Sequence, residues 1–206
     1  MEPTIPCKTR NSGIGRKAGQ LRRPVLESYA SRVTPALPPA DRQTTLVMPV
    51  KSFPWALRRL HTRLNEAPPH LTLLFPFLPY DAIDGTVTSA LTDLFSRFSK
   101  GPIHFTEVDW FDQRVVWLKP SSADLFKEMT QALVERFPEC RPYDGEFSDV
   151  VPHATLAADK RRPLMILVEA LGRLAIPLTE EFSEVWLMAM GDRGQWERRC
   201  SFELGG

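Results

Sequence analysis

Two four-residue stretches of the chain repeat one pattern, His70-Leu71-Thr72-Leu73 and His153-Ala154-Thr155-Leu156. Each stretch is apolar and rich in residues that favour strands, and alternate side chains of a strand point to opposite faces. The histidine and threonine of each motif therefore share one face, and the small or branched apolar side chains share the other. Each motif thus predicts a strand with one core face and one face available for chemistry.

The residue types on the shared face suit the chemistry of phosphate esters. Imidazole titrates near neutral pH, so His70 and His153 can supply a general base and a general acid together. The hydroxyls of Thr72 and Thr155 are neutral hydrogen-bond donors, which we expect to bind non-bridging phosphate oxygens. Either histidine alone would be better interpreted as a structural strand residue. Because the spacing is repeated, the sequence favours a catalytic pair.

The two motifs in their contexts, Pro69 to Phe77 and Pro152 to Ala157, resemble the His-x-Thr/Ser-hydrophobic signature of the 2H phosphoesterases. The resemblance is to the 2'-5' RNA ligase-like proteins with cyclic phosphodiesterase activity, and it covers about residues 44 to 204. It implies an α+β fold of two pseudo-symmetric lobes, whose antiparallel sheets form a central cleft with helices packed outside.

The resemblance also implies an activity. A member of this family would open 2',3'-cyclic phosphates, or cleave 2'-5' phosphodiester bonds, of RNA ends or nucleotides, and could run the reaction backwards as a 2'-5' RNA ligase. His70 and His153 would be catalytic, and Thr72 and Thr155 would bind phosphate. Some members carry a basic residue five positions after the second histidine, where this chain has Ala158. Lys160 and Arg161 are the candidate replacements.

No cofactor is expected. The sequence lacks His-Glu-x-x-His and paired cysteine spacings, so we predict a metal-independent enzyme. The alternative is a catalytically idle module that binds RNA ends or nucleotides, and a structural protein that kept the fold is third. Two intact motifs favour the enzyme.

The charge distribution limits the partners of the chain. The net charge is +1, yet residues 1 to 43 hold eight of the 26 Lys and Arg and only three of the 25 Asp and Glu. The remainder is mildly acidic, which excludes a surface coated for long duplexes and favours a short RNA end or small nucleotide. We expect a monomer.

The three cysteines, Cys7, Cys140 and Cys200, are odd in number and widely spaced, which argues against a disulfide framework. No apolar run approaches the length of a membrane span, and the N-terminus lacks the apolar core of a signal peptide. We therefore expect a cytoplasmic protein with no membrane partner.

Composition divides the chain into two parts. Residues 1–43 are rich in Arg, Pro, Ser and Gly, which predicts a disordered basic arm. An RNA-attracting arm and a targeting segment remain alternatives for it. Residues 44–206 are predicted to form the bilobal domain.

Hydrophobic periodicity places strands and helices in that domain. Strands are predicted at 45–50, 103–110, 114–118, 184–190 and 195–204 in addition to the two motifs. Helices are predicted from four apolar stripes: Leu57, Leu60 and Leu64; Val87, Leu91, Leu94, Phe95 and Phe98; Leu125, Met129 and Leu133; and Leu164, Leu167, Val168, Leu171 and Leu174. Hairpins are predicted around Asp112-Gln113 and around residues 191–194. The motif histidines are 83 residues apart, and the hairpin turns have a similar separation, which suggests a pseudo-two-fold relation.

The other two histidines are predicted to be structural or solvated. His61 has Arg58, Arg59 and Arg63 as sequence neighbours, which predicts a polar helix face, and His104 lies in a predicted strand. Base stacking would need an exposed aromatic ring near the phosphate. Trp110, Phe111 and Tyr143 are the candidates, and the sequence leaves that choice open.

Overall fold

The computed structural model describes residues 43–146, 150–191 and 194–206. The predicted arm, residues 1–43, lies outside the described residues except for Gln43, so the division at residue 44 stays a prediction.

The described residues form eight strands and four α-helices. The strands are β1 (Thr44–Pro49), β2 (His70–Leu74), β3 (Gly101–Phe111), β4 (Val115–Pro120), β5 (Ala154–Ala158), β6 (Leu178–Phe182), β7 (Glu184–Met190) and β8 (Trp196–Glu203). The helices are α1 (Trp55–Leu64), α2 (Gly85–Phe95), α3 (Asp124–Arg136) and α4 (Arg162–Ala175), with short 3-10 turns at Tyr80–Ala82 and Pro142–Gly145.

The strands form one antiparallel sheet in the order β6-β3-β4-β5-β2-β1-β7-β8. The predicted α+β class with antiparallel strands is therefore confirmed. The motif strands β2 and β5 are central neighbours, and three strands flank each of them. The sheet is continuous. Its two halves, β6-β3-β4-β5 and β2-β1-β7-β8, meet at one register pair between β5 and β2, in which Leu71 is opposite Ala154.

The four helices cover the face opposite the motif histidines, here called the helix face. Leu71, Leu73 and Leu156 point into it and are buried in the main core. Thr130 of α3 donates its hydroxyl to the Leu73 carbonyl at 2.9 Å, and Gly172 of α4 approaches the Leu156 side chain. The other face, here called the motif face, carries His70 and Thr72. Period-two alternation in β2 thus puts His70 and Thr72 on one face and the core leucines on the other, as predicted.

The hairpin predicted around Asp112-Gln113 is confirmed, with Phe111 opposite Val115. Asp112 and Gln113 have φ of 45° and 57°, which is the left-handed region required at both centres of a type I′ turn. The second predicted hairpin is confirmed by the antiparallel pairing of β7 with β8.

Strand β6 was not predicted, because its sequence Leu-Thr-Glu-Glu-Phe contains two adjacent acids. The inward acid is Glu180, which is buried. Its carboxylate accepts hydrogen bonds at 2.7 Å from the backbone amides of Lys51 and Ser52, 128 or more residues away. Buried carboxylates are stable when hydrogen-bonded in this way, and the partners cannot be identified from local sequence.

The apolar stripe predicted for α4 is rotated in the structure. Met165, Val168 and Gly172 are the buried positions, whereas Leu167 is 52% and Leu174 is 83% exposed. The prediction was wrong for these two leucines because it followed the large side chains. Glycine faces the sheet instead, and a Cβ on Gly172 would lie 2.6 Å from Leu156 Cδ1. The helix therefore packs by close backbone approach.

This orientation of α4 predicts opposite outcomes for two substitutions on the same helix. Met165→Ala should lower the free energy of unfolding by about 2–4 kcal/mol, because it removes buried apolar volume. Leu174→Ala should change it by less than about 0.5 kcal/mol, because the side chain is exposed. Urea unfolding followed by circular dichroism measures both, and a larger loss at Leu174 would contradict the packing described here.

A second connection between the two halves comes from the end of α1. His61 is 2% exposed, and its Nε2 lies 3.0 Å from the Ala67 carbonyl. The Asn65 amide lies 3.0 Å from His61 Nδ1 and 3.1 Å from the Leu156 carbonyl. His61 Nδ1 also lies 3.0 Å from the Leu156 carbonyl, so each ring nitrogen faces a carbonyl oxygen, and a neutral imidazole donates to one of the two. We call His61 and Asn65 the α1 clamp, because they join β5 to the loop before β2.

The predicted solvated setting for His61 was therefore wrong. The prediction relied on arginines adjacent in sequence, but neighbours on a helix face are three or four residues apart. His61 follows buried Leu57 by four positions, so it lies on the apolar side of α1. Burial lowers the pKa of His61, which keeps the ring neutral.

Candidate active site

The sheet brings the four motif side chains together. Leu71 is opposite Ala154 in an antiparallel pair. The residues next to them are therefore also opposite each other, His70 with Thr155 and Thr72 with His153. Directly opposite Cβ atoms in an antiparallel pair are about 4.5–5.5 Å apart. All four side chains are partly exposed on the motif face. Each histidine is therefore the cross-strand neighbour of the other motif's threonine.

Both imidazoles are oriented by the same local hydrogen bond. His70 Nδ1 lies 2.6 Å from the Pro68 carbonyl, and His153 Nδ1 lies 2.7 Å from the Val151 carbonyl. A carbonyl oxygen can only accept, so in each ring Nδ1 carries the hydrogen and donates it. Nε2 is then the nitrogen left to exchange a proton with a ligand. The two motifs thus match in side-chain orientation as well as in sequence.

The surroundings favour the neutral forms of both rings. Burial, together with the charges of protonated His61 and His153, lowers the pKa of His70 to about 4, although the bond to the Pro68 carbonyl opposes the shift. Burial also lowers the pKa of His153. At neutral pH the ligand-free site therefore holds two neutral imidazoles with Nε2 as acceptor. An anion bound between them would favour protonation of one ring.

These lowered pKa values predict a loss of stability in mild acid. Below pH 6.5 the unfolded chain binds more protons at these histidines than the folded chain, so the free energy of unfolding falls with pH. For His70 alone, with a pKa of about 4 against 6.5, the loss reaches about 2.5 kcal/mol at pH 4.5. Urea unfolding at pH 7.0, 5.5 and 4.5 measures it.

The matched variant for that experiment is His70→Asn, which cannot titrate. The free energy of unfolding of this variant should fall less steeply over the same pH range. All other charged residues are the same in the two proteins. Parallel curves for the two proteins would contradict the half-buried, neutral setting assigned to His70.

Tyr143 contacts the first motif from a distant part of the sequence. Burial raises the pKa of its phenol, and a hydrogen bond with the Thr72 side chain opposes that rise. Its backbone amide donates to the Phe75 carbonyl at 2.6 Å, and its φ is 49°. Tyr143 was a candidate for base stacking, whereas here its hydroxyl positions Thr72. Local sequence gave no signal for this contact, since the partners are 71 residues apart.

Aromatic rings surround His153. Phe111 and Trp117 are stacked, with centroids 4.6 Å apart, and both meet the His153 ring edge-on at 5.0 and 5.7 Å. Trp117 is directly opposite Thr155 in the sheet, which puts it on the motif face. Of the stacking candidates, Phe111 therefore lies at the site. Trp110 packs on the helix face, with the Arg162 guanidinium 4.6 Å from its centroid.

The two candidate replacements for a basic residue at Ala158 lie beyond the end of β5. Arg161 donates from Nη2 to the Asp159 carboxylate at 2.6 Å and also from Nε at 3.0 Å, so its guanidinium is already paired. This pairing lowers the pKa of Asp159 to about 2. Lys160 is exposed. Neither side chain is brought to the four motif residues by the register of β5.

His104 is exposed on β3, and its Nδ1 lies 2.9 Å from the Thr179 hydroxyl of β6. That contact joins two strands at the edge of the sheet. Within residues 43–146, 150–191 and 194–206, no group of three or more His, Cys, Asp or Glu side chains could hold a metal ion. The helices of the same residues are too short or too polar to span a membrane.

The sequence matches the family model described as the 2'-5' RNA ligase superfamily over residues 39–194. The chain belongs to this superfamily. Both motifs lie within the matched residues. As a superfamily member it shares the 2H phosphoesterase signature that its two His-x-Thr motifs resemble. No curated protein sequence matches the chain significantly.

Solved structures agree on the fold. E. coli LigT in its apo form aligns with a TM-score of 0.52 at 17% identity, over 80% of this chain and 98% of LigT. E. coli LigT complexed with 3'-AMP aligns with a TM-score of 0.49 at 17% identity, over 79% and 98%. At these identities the apo LigT likeness shows that this superfamily member has the LigT fold.

Proposed function

We propose that this protein is a metal-independent phosphoesterase that opens 2',3'-cyclic phosphates, or cleaves 2'-5' phosphodiesters, at RNA ends or in nucleotides. The proposal rests on one observation above all. Two imidazoles on neighbouring strands have the same Nδ1-to-carbonyl anchor, so both leave Nε2 free on the motif face. Membership of the 2'-5' RNA ligase superfamily supports the reaction class.

Two imidazoles are enough for an in-line displacement at phosphorus. One Nε2 removes a proton from water as its oxygen forms a bond to phosphorus. The Nε2–H of the other imidazole gives its proton to the ribose oxygen as the phosphorus–oxygen bond breaks. The products are a phosphomonoester and a free ribose hydroxyl. When a ribose 5'-hydroxyl replaces water, its oxygen bonds to the phosphorus of the cyclic phosphate, the bond to the 3' oxygen breaks, and the 3' oxygen takes the proton, which gives a 2'-5' linkage.

The substrate itself brings the required charge state. The free site favours two neutral rings, since burial lowers both pKa values. A phosphodiester anion between the rings raises the pKa of the nearer imidazole and so creates the acid. The threonine hydroxyls then donate to the non-bridging oxygens, where negative charge grows. Thr72 can donate to phosphate only when the Tyr143 phenol is the donor in the hydrogen bond between the two side chains, because the threonine hydroxyl carries a single hydrogen.

Substitution of the histidines tests the proton transfers. His70→Ala or His153→Ala should lower turnover of a 2',3'-cyclic nucleotide by about 100- to 10,000-fold, the range supplied by one positioned acid or base. The double variant should lose less than the product of the two effects, because the residues act as a unit. His104→Ala is the matched control, since that ring lies at the edge of the sheet.

The same assay separates the alternatives. Wild-type turnover should persist in excess chelator and follow a bell-shaped pH profile. Loss of activity in chelator with recovery on adding a divalent ion, or turnover by the double variant, would refute the mechanism. RNA-end binding without any turnover would instead identify a catalytically idle binding module.

Threonine substitutions test the phosphate contacts. Valine is nearly isosteric and favours strands, so Thr72→Val and Thr155→Val should leave the fold intact and lower turnover by roughly tenfold or more. Thermal unfolding checks the fold, and steady-state kinetics with a cyclic nucleotide measures turnover. Wild-type turnover in both variants would mean that the hydroxyls serve only strand packing.

We also propose that the protein works in a reducing compartment, the cytoplasm. Cys140 and Cys200 are buried thiols, and burial with nearby carboxylates raises the pKa of the Cys140 thiol to about 12. Such a thiol is unreactive at neutral pH.

A further inference from the structure

A polar cavity lies at the tip of the β3–β4 hairpin. It is open, has a volume of about 680 Å³, and is lined by Asp112, Gln113, Arg114, Lys160 and Arg162. The hairpin turn forms one wall, and the connection from β5 to α4 forms the other. The Asp159 amide donates to the Arg114 carbonyl at 3.0 Å, which holds the two walls together.

The cavity is strongly basic for a domain that is mildly acidic as a whole. Three cations, Arg114, Lys160 and Arg162, line it, against the single carboxylate of Asp112. The adjacent pair of Asp159 and Arg161 is neutral overall, because the two side chains bind each other.

The helix terminus adds to this positive potential. Helix α4 begins at Arg162 and runs for 14 residues, so its N-terminal amides and positive dipole end lie at the same cavity. Independent features, side-chain charge and a long helix terminus, therefore favour an anion at this place.

The cavity and the candidate active site lie on the same pair of strands. Thr155 of β5 is at the site, and Lys160 is five residues further along the chain, two of them beyond the end of β5, so at most about 17 Å separates the two positions. Phe111 spans part of that distance, since its ring contacts His153 and its backbone leads directly into the hairpin turn. Proteins that bind single-stranded nucleic acids combine aromatic rings, on which bases stack, with cations that contact the phosphates.

We propose that this cavity binds the phosphate backbone of a single-stranded RNA whose 3' end occupies the candidate active site. The inference deepens the proposed function and rests on it, because it identifies the substrate as an oligonucleotide and not a mononucleotide. Lys160, up to roughly 17 Å from Thr155, lies beyond a mononucleotide held at the motif residues, whereas a strand attached to that nucleotide continues towards it. About five stacked nucleotides span that distance at 3.4 Å each, and fewer suffice for an extended strand.

The chemistry favours RNA over other polyanions. A 2',3'-cyclic phosphate exists only on a ribose, and the strand attached to that ribose carries one phosphate per nucleotide. The cations of the cavity therefore contact other phosphates of the same RNA whose 3' end binds at the histidines. In this assignment Lys160 binds a backbone phosphate of the RNA and not the phosphate that reacts.

Substrate length tests the proposal. We expect wild-type kcat/KM for a hexanucleotide ending in a 2',3'-cyclic phosphate to exceed that for the cyclic mononucleotide by tenfold or more. The triple variant with Arg114, Lys160 and Arg162 each changed to Gln should lower this ratio by about tenfold. The slope of log kcat/KM against log salt for the hexanucleotide should become shallower by about 2, as expected for three lost contacts to a single strand.

A charge-matched control uses three exposed cations distant from the cavity. The variant with Arg97, Lys100 and Arg136 each changed to Gln has the same net charge as the test variant. Its length preference should equal that of the wild type. An equal fall of the ratio in both triple variants would show a general charge effect and overturn the proposed site.

Two further outcomes separate this inference from the proposed function. Wild-type turnover of the mononucleotide with no preference for the hexanucleotide would overturn the RNA site and leave the phosphoesterase intact. Binding of a hexanucleotide 3'-phosphate, measured by fluorescence anisotropy, that is weakened only by the cavity variant would support the RNA site even if no substrate were hydrolysed.

Discussion

The hydrogen bonds of the α1 clamp hold the two halves of the sheet together beside the four motif side chains. The motif strands β2 and β5 share one register pair, so few backbone hydrogen bonds fix their relative position. His61 and Asn65 add contacts to the Ala67 carbonyl before β2 and to the Leu156 carbonyl within β5. These contacts are buried, where hydrogen bonds are strong and an unpaired group is costly. The positions of all four motif side chains depend on them.

The clamp also contacts the loop that orients the His70 imidazole. His61 binds the carbonyl of Ala67, and the next carbonyl, that of Pro68, accepts the Nδ1 hydrogen of His70. The same loop therefore serves two imidazoles with different tasks. One is buried, neutral and structural, and the other has its Nε2 free on the motif face. Because like charges would repel, protonation of His61 lowers the pKa of His70, so a neutral His61 keeps the site able to accept a proton.

Much of this arrangement follows from local sequence, and the exceptions have a common cause. Alternation around His70 and His153 predicted the shared face, and the stripe through Leu91 and Phe95 predicted α2, because both depend on neighbours within one element. Burial of Glu180 depends on amides 128 or more residues away, and the role of Tyr143 depends on a hydroxyl 71 residues away. The burial of His61 was not predicted, because the prediction relied on the adjacent arginines and not on Leu57, four residues earlier on the same helix face. In α4, a glycine took the place against the sheet that large side chains were expected to fill.

The join between β2 and β5 has a mechanical consequence. A single register pair is a pivot, and the imidazoles lie on opposite sides of it, one on each half of the sheet. A small rotation of one half about Leu71 and Ala154 would change the separation of the two Nε2 atoms, while each ring would keep its anchor to its own strand. The separation of the two Nε2 atoms therefore depends on how β2 and β5 lie against each other at this one pair, and the α1 clamp limits that rotation.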